Sequence, residues 1–218
     1  MELKTYFVAY IDILGFKSIV EKEKNSGFEG NLLNKLHACH LECERIFRLS
    51  GMDLTQFSDS IVISLPYKPE DFVHFATTVS VYQKHLIKEG ILCRGGIAIN
   101  KHFSQASFLF SPALIDAFYV ESERAIYPRI VISNDVIDLL YPHGTYPDII
   151  CKEYDGLFFI NFLNGETSDS FSQTLSELVN NCLGKADPSI IQKGIWLANY
   201  SDWALSTSFS PQRFEISN

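Results

Sequence analysis

Two aspartates carry the chemistry most readily read from this sequence. Asp12 is the one acid inside Thr5–Leu14 (TYFVAYIDIL), a β-branched and aromatic run. Asp59 lies in Ser58-Asp59-Ser60, between the apolar runs Met52–Phe57 and Ser60–Leu65. An unpaired charge buried in such a strand is costly. Two carboxylates a few ångströms apart repel and raise one another's pKa unless a cation sits between them. Mg²⁺ commonly binds through one or two carboxylates plus substrate phosphates, and two such ions ~3.5–4 Å apart suit phosphoryl or nucleotidyl transfer. The residues after Asp12, Ile13-Leu14-Gly15-Phe16-Lys17-Ser18, add a second element. A strand that turns at glycine into a helix N-terminus offers backbone N–H groups to phosphate oxygens. The plainer alternative is that Asp12 ends a strand and Asp59 is an ordinary turn residue.

These residues need a scaffold, and the pattern along the chain supplies one. A strand is expected over Thr5–Leu14, ending at Gly15, and a helix over Asn31–Leu49, with Leu32, Leu36, Cys39, Cys43, Ile46 and Phe47 at helical spacing. The two runs around Ser58–Ser60 read as a hairpin. Pro69 and Glu70 open a helix carried by Phe72, Phe75, Ala76, Val79, Tyr82 and Leu86 and stopped by Gly90. Ile91–Asn100 (ILCRGGIAIN) reads as a strand whose paired glycines imply close backbone approach. Lys101 and His102 then turn the chain into a weaker strand, Phe103–Phe108. A helix from Ser111-Pro112 to Arg124, a strand Arg129–Ser133, a short helix Asp135–Leu140 and a hairpin Ile149–Phe162 follow. The order β-α-β-β-α-β is the ferredoxin-like α+β arrangement, an antiparallel-rich sheet with helices on one face. It sets Asp12, on the first strand, beside Asp59. After Gly165 serine and threonine become frequent, and helices are expected over Phe171–Leu183 and Ile190–Leu205. Residues 1–163 thus form one domain and 164–218 a helical C-terminal appendage.

Composition bounds the partners. The 218 residues are 46% hydrophobic and 20% charged, enough apolar material for a sizeable core. A net charge of −8 argues against nucleic-acid binding, which needs basic surface. An acidic enzyme still binds a triphosphate if it recruits metal ions. No apolar run reaches the length of a membrane span, and Met1-Glu2-Leu3-Lys4 does not open a signal peptide. Five cysteines without CxxC spacing read as reduced thiols, so a cytoplasmic location is expected.

Several stretches together resemble the class III nucleotidyl cyclase catalytic domain. AYIDILGFKS is similar to its first metal motif and QFSDSIVIS to its second metal hairpin, with Ser58 where glycine is usual. RGGIAIN resembles its Arg-x-Gly-Ile strand, SPALIDAFYVESERA its dimer-interface helix, and RIVIS the strand after it. The likeness runs from about Tyr6 to Phe162. Within that family the Pycsar pyrimidine cyclases of bacterial anti-phage defence are the nearest subgroup, through Asp12–Phe16, Pro112–Leu114, Ala125–Arg129 and Trp196–Leu197. The resemblance implies conversion of UTP or CTP to the 3′,5′-cyclic monophosphate and pyrophosphate, two Mg²⁺ or Mn²⁺ ions per site, a homodimer with composite active sites and a separate effector that senses the product. It implies Asp12, Asp59 and the Ile13 carbonyl as metal ligands, and Gly15, Phe16, Lys17 and Lys152 as phosphate-binding. Arg94 and Arg129 are candidates for the catalytic cation, since guanidinium offers phosphate a two-pronged fork. The family's interface helix carries an Asn and an Arg; this chain has Ile115 and Tyr119 there. Its base-reading positions correspond to Thr55 and Phe108, matching neither purine pattern, and a smaller polar residue beside an aromatic suits a pyrimidine better. A catalytically silent nucleotide-binding regulator is the alternative.

Other residues have plainer readings. Cys39 and Cys43 fit the core stripe of their helix, with His37 and His40 on its surface rather than in a metal cluster. Arg94 fits a structural salt bridge, Arg129 an exposed position, Lys152 a solvated strand edge and Tyr119 a packing role. Trp196 and Trp203, seven apart, share one helical face suited to packing.

Overall fold

A computed structural model describes residues 2–105 and 108–212 of the chain. The chain divides into two compact units, Met1–Phe162 and Leu163–Asn218. The first unit holds an eight-stranded mixed sheet. In chain order its elements are β1 (Lys4–Ile13), α1 (Phe16–Asn25), α2 (Leu32–Leu49), β2 (Asp53–Phe57), β3 (Ser60–Pro66), α3 (Phe72–Lys88), β4 (Cys93–Gln105), β5 (Phe108–Phe110), α4 (Pro112–Arg124), β6 (Ile130–Ile132), α5 (Asn134–Leu140), β7 (Ile150–Lys152) and β8 (Phe158–Ile160). The strand order is β2-β3-β1-β4-β6-β8-β7, with β5 paired to β4. Strands β2, β3, β1 and β4 reproduce the ferredoxin-like order, and every pair among them is antiparallel. Beyond β4 the sheet continues through β6, which pairs with β4 in parallel.

Helices cover both faces of this sheet, which corrects the one-sided arrangement expected from the element order. Phe7 meets Phe72 and Phe75 of α3 on one face. On the other, Val8, Val62 and Ala98 pack against Ala113 and Ala117 of α4. The physical cause is visible in β1, where Phe7, Val8 and Ala9 are all fully buried. A strand apolar on both sides needs a layer on each.

Helix α4 is seated by specific residues. Ser111 caps it by accepting the Leu114 N–H at 2.9 Å, and Pro112 fills the first turn, where no N–H is needed. Its backbone comes close to β4 at Gly96. A Cβ there would meet the Ala117 carbonyl oxygen and lie 2.7 Å from the Glu121 amide and 2.8 Å from the Val120 Cβ. Gly96→Ala should therefore push α4 off the sheet, lowering unfolding free energy by about 1–3 kcal/mol, the usual cost of overpacking a filled interior. Urea denaturation would measure this, and an unchanged midpoint would contradict the close approach.

Two element boundaries differ from expectation. Strand β4 does not break at Lys101–His102, because its pairing with β1 continues through Lys101↔Thr5 and His102↔Lys4. The expected strand Phe103–Phe108 crosses residues 106–107, outside the described residues; beyond them β5 turns back to pair Phe110 with Phe103. In the second unit α6 (Asp169–Leu183) packs on α7 (Pro188–Leu205). Trp196 is buried there and Trp203 is 64% exposed, and both rings stack on Tyr200 between them, at 5.2 and 6.1 Å, so the two share one aromatic face. Cys39 and Cys43 are core residues; His37 is exposed and His40 half-buried.

Candidate active site

The β1 register builds the site. Asp12 lies opposite Ser60 of β3 on one side and Arg94 of β4 on the other. Residues directly opposite in antiparallel strands project to the same face, and for these three it is the α4 face. The β2–β3 hairpin closes through Ser58-Asp59, with Ser58 at φ 60°, where glycine would be unstrained. The Ile13 amide donates to the Asp59 carbonyl at 3.1 Å, carrying the β1–β3 pairing into the turn. Asp59 is thereby fixed next to the end of β1, close enough for its charge to act on Asp12.

Electrostatics mark the cluster as short of positive charge. Arg94 Nε lies 2.6 Å from Glu121 Oε1 and 3.8 Å from Asp12 Oδ2. Its Nη1 also donates to the Ala125 carbonyl at 3.4 Å. One guanidinium thus faces two carboxylates, with Asp59 alongside. Burial pushes the Asp12 pKa up, Arg94 pulls it down, and Asp59 raises it again; the net direction is up. Glu121 is 2% exposed, and burial lifts it to about 7 against the pull of Arg94, with Asp12 adding to the rise. The Tyr10 hydroxyl, 2.8 Å from Ser60 Oγ, is likewise raised, first by burial.

Glu121 was absent from the sequence reading. The signal available was its place beside Val120 on the α4 stripe Ala113–Ala117–Val120, where a buried acid needs a partner.

Beyond Asp12 the chain turns at Gly15, φ 74°, a left-handed conformation that suits glycine. Helix α1 starts at once with Phe16, Lys17 and Ser18, and no side chain caps it. The first amides of a helix have no intrahelical acceptor and favour anions.

The chemistry present suits a hard divalent cation: two neighbouring carboxylates, Asp12 and Asp59, with a helix N-terminus following. No group of three or more His, Cys, Asp or Glu able to hold a metal occurs among the described residues. Mg²⁺ commonly takes one or two carboxylates and completes its shell with water and phosphate.

The other expected site residues scatter. Thr55 is exposed on edge strand β2, opposite Val62, which is opposite Tyr10, so it shares the Asp12 face. Phe108 opens β5 and is exposed, its ring 6.1 Å from Phe103. Ile115 and Tyr119 are 69% and 58% exposed on the outer side of α4. Arg129 is not the exposed cation expected. It is 1% exposed, ion-paired to Glu153 and, at 2.6 Å, to Asp155, with its guanidinium over the Tyr127 ring. Both prongs of its fork are therefore held by carboxylates of the β7–β8 hairpin. Lys152 is on edge strand β7, four strands from β1, its Nζ 5.1 Å from the Phe158 ring centre. Its register through Phe158 and Ile132 to Ile97 puts it on the face away from Asp12. Within one chain, Lys152 does not join the aspartates. A cavity of about 280 Å³ beside α4 is lined by Asp116, Tyr119, Arg124, Ser133 and Asn134 among others, and by neither Asp12 nor Asp59.

No protein-family model and no curated protein matches this sequence. Solved structures do. An adenylate/guanylate cyclase/hydrolase from Silicibacter pomeroyi is 14% identical over 73% of this chain and 96% of its own, with a TM-score of 0.50. The adenylyl cyclase CyaB from P. aeruginosa is 17% identical over 78% of this chain and 97% of its own, with a TM-score of 0.52. At such identities the likeness speaks to architecture, and the mixed sheet with helices on both faces is the nucleotide cyclase fold.

Proposed function

We propose that this chain is a metal-dependent nucleotidyl cyclase that converts UTP or CTP to the 3′,5′-cyclic monophosphate and pyrophosphate. One observation carries the reading: Asp12 and Asp59, 47 positions apart in the sequence, meet at one end of a cyclase-fold sheet. Asp12, Asp59 and the Ile13 carbonyl would hold two Mg²⁺ or Mn²⁺ ions. When bound, such ions lower the pKa of the ribose 3′-hydroxyl and neutralise charge on the leaving pyrophosphate. The 3′-hydroxyl gives its proton to solvent, its oxygen attacks the α-phosphorus, the bond from that phosphorus to the α,β-bridging oxygen breaks to release pyrophosphate, and no covalent enzyme intermediate forms. Gly15, Phe16 and Lys17 would cradle the β- and γ-phosphates with main-chain N–H groups. In a two-fold dimer, Lys152 of the partner would add a cation and Thr55 and Phe108 would face the base. Thr55 offers a short hydroxyl at the sheet edge, without the long Lys or Glu that reads a purine. A role in anti-phage defence, with a separate effector sensing the cyclic nucleotide, rests on the resemblance at Asp12–Phe16, Pro112–Leu114, Ala125–Arg129 and Trp196–Leu197.

A second reading has its own support. Ile115 and Tyr119 replace the family's Asn and Arg, and Arg129 is occupied by Glu153 and Asp155. On that footing the chain binds nucleotide without turnover. Incubating purified protein and Mn²⁺ with each of the four NTPs, and resolving products by chromatography, separates the readings. Cyclic product from UTP or CTP, abolished by EDTA, is expected. Product from ATP or GTP alone removes the pyrimidine assignment. Nucleotide binding without any product establishes the silent regulator.

A further inference from the structure

We infer that Glu121 is a positioning residue for the Asp12 metal ligand: it holds the Arg94 guanidinium against α4, leaving the Asp12 carboxylate open to a cation. This rests on the proposed metal role of Asp12. The geometry is unequal. Arg94 Nε is 2.6 Å from Glu121 Oε1 and 3.8 Å from Asp12 Oδ2, and its Nη1 reaches the Ala125 carbonyl. The short contact comes from Glu121 of α4, and the longer one, 3.4 Å, from the carbonyl of Ala125, which caps that helix. Gly96 lets α4 sit that close, since its missing Cβ is the space occupied by the 117–121 backbone.

Without Glu121, the nearest carboxylate left to Arg94 is Asp12. A guanidinium closing from 3.8 Å onto Asp12 would form a charge-assisted pair over the lone pairs a metal needs. Metal binding would then require breaking that pair. Glu121 therefore acts on the cation through Arg94, without touching it. An acid beyond the direct ligands commonly has this effect: changing such a partner costs roughly 10–100-fold in metal affinity.

The test is Mn²⁺ affinity of the full chain without nucleotide, read from the electron paramagnetic resonance signal of free Mn²⁺, with near-ultraviolet circular dichroism to confirm folding. Glu121→Gln should weaken binding roughly tenfold. Glu121→Asp keeps the charge but shortens the reach, and should weaken it as well. The double variant Glu121→Gln with Arg94→Gln removes the competing guanidinium and should recover affinity to the wild-type level. Unchanged affinity in Glu121→Gln overturns the inference. So does wild-type affinity in Glu121→Asp, which would leave only a long-range field, and so does a double variant as weak as the single. If Glu121→Gln does not fold, the Glu121→Asp and double variants decide. Wild-type protein that binds no Mn²⁺, or binds it equally after Asp12→Asn, removes the metal reading itself and this inference with it.

Discussion

Asp12→Ala and Asp59→Ala should each lower turnover by on the order of 10³-fold, the loss typical when one preorganised electrostatic partner of a transition state is removed. Their effect on stability separates a functional role from a structural one. The Asp12 pKa is raised in the fold, so the fold prefers its neutral form. A carboxyl raised in this way makes its favourable contribution at low pH and loses it as pH rises through the raised value. At neutral pH the ionised side chain is thus a net cost. Its removal leaves Arg94 still paired with Glu121 at 2.6 Å, so no buried charge is orphaned. The melting temperature of Asp12→Ala should equal or exceed that of the wild type. Asp59 lies in a two-residue turn, and its loss should move melting little. Native-like melting with full activity in either variant would end the metal assignment. A large fall in melting temperature on replacing Asp12 would make it a structural residue instead.

How much of this was legible in the sequence differs residue by residue. Asp12 stood out because an acid within TYFVAYIDIL has no neighbouring cation and no turn to excuse it. Asp59 followed from hairpin chemistry and the ferredoxin-like strand order. The first four strands could be placed because their apolar runs are bounded by Gly15, Ser58-Asp59 and Gly90. The second helical layer was not anticipated, although burial of consecutive β1 residues is its direct consequence. Arg129 was misjudged because its partners, Glu153 and Asp155, lie 24 and 26 residues further on and reach it only when β7 and β8 fold back. Glu121 was missed for the same reason: its partner Arg94 belongs to another element, and a helix ending in VESER reads as a solvated terminus. Ion pairs between distant elements leave no periodic trace, whereas strands, turns and caps do.

Mixing two inactive variants should restore activity. Asp12 and Lys152 lie four strands apart and on opposite faces of the sheet, so one copy does not bring them to one triphosphate. The outer side of α4 exposes Ile115, Phe118 and Tyr119, and β5 exposes Phe108 and Phe110. Exposed apolar side chains grouped on one helix side, as Ile115, Phe118 and Tyr119 are, are typical of a surface that pairs with another. A two-fold axis through it would set the Asp12 end of one copy against the Thr55 and Phe108 side of the other, and Lys152 would join by reaching round the β7 edge of its sheet, forming two equivalent sites. Asp12→Ala and Lys152→Ala are each expected to be inactive, for one loses the metal ligand and the other the phosphate cation at both sites. Equal mixing with free subunit exchange makes half of the dimers mixed. Each mixed dimer carries one site with both lesions and one with neither, so about a quarter of wild-type turnover should return. Sedimentation would show whether dimers form. A monomeric mass with full turnover rejects the shared site outright. A dimeric mixture that stays inactive after exchange leaves the pairing but puts Lys152 outside the site, and the cation would then have to be sought on the same chain as Asp12.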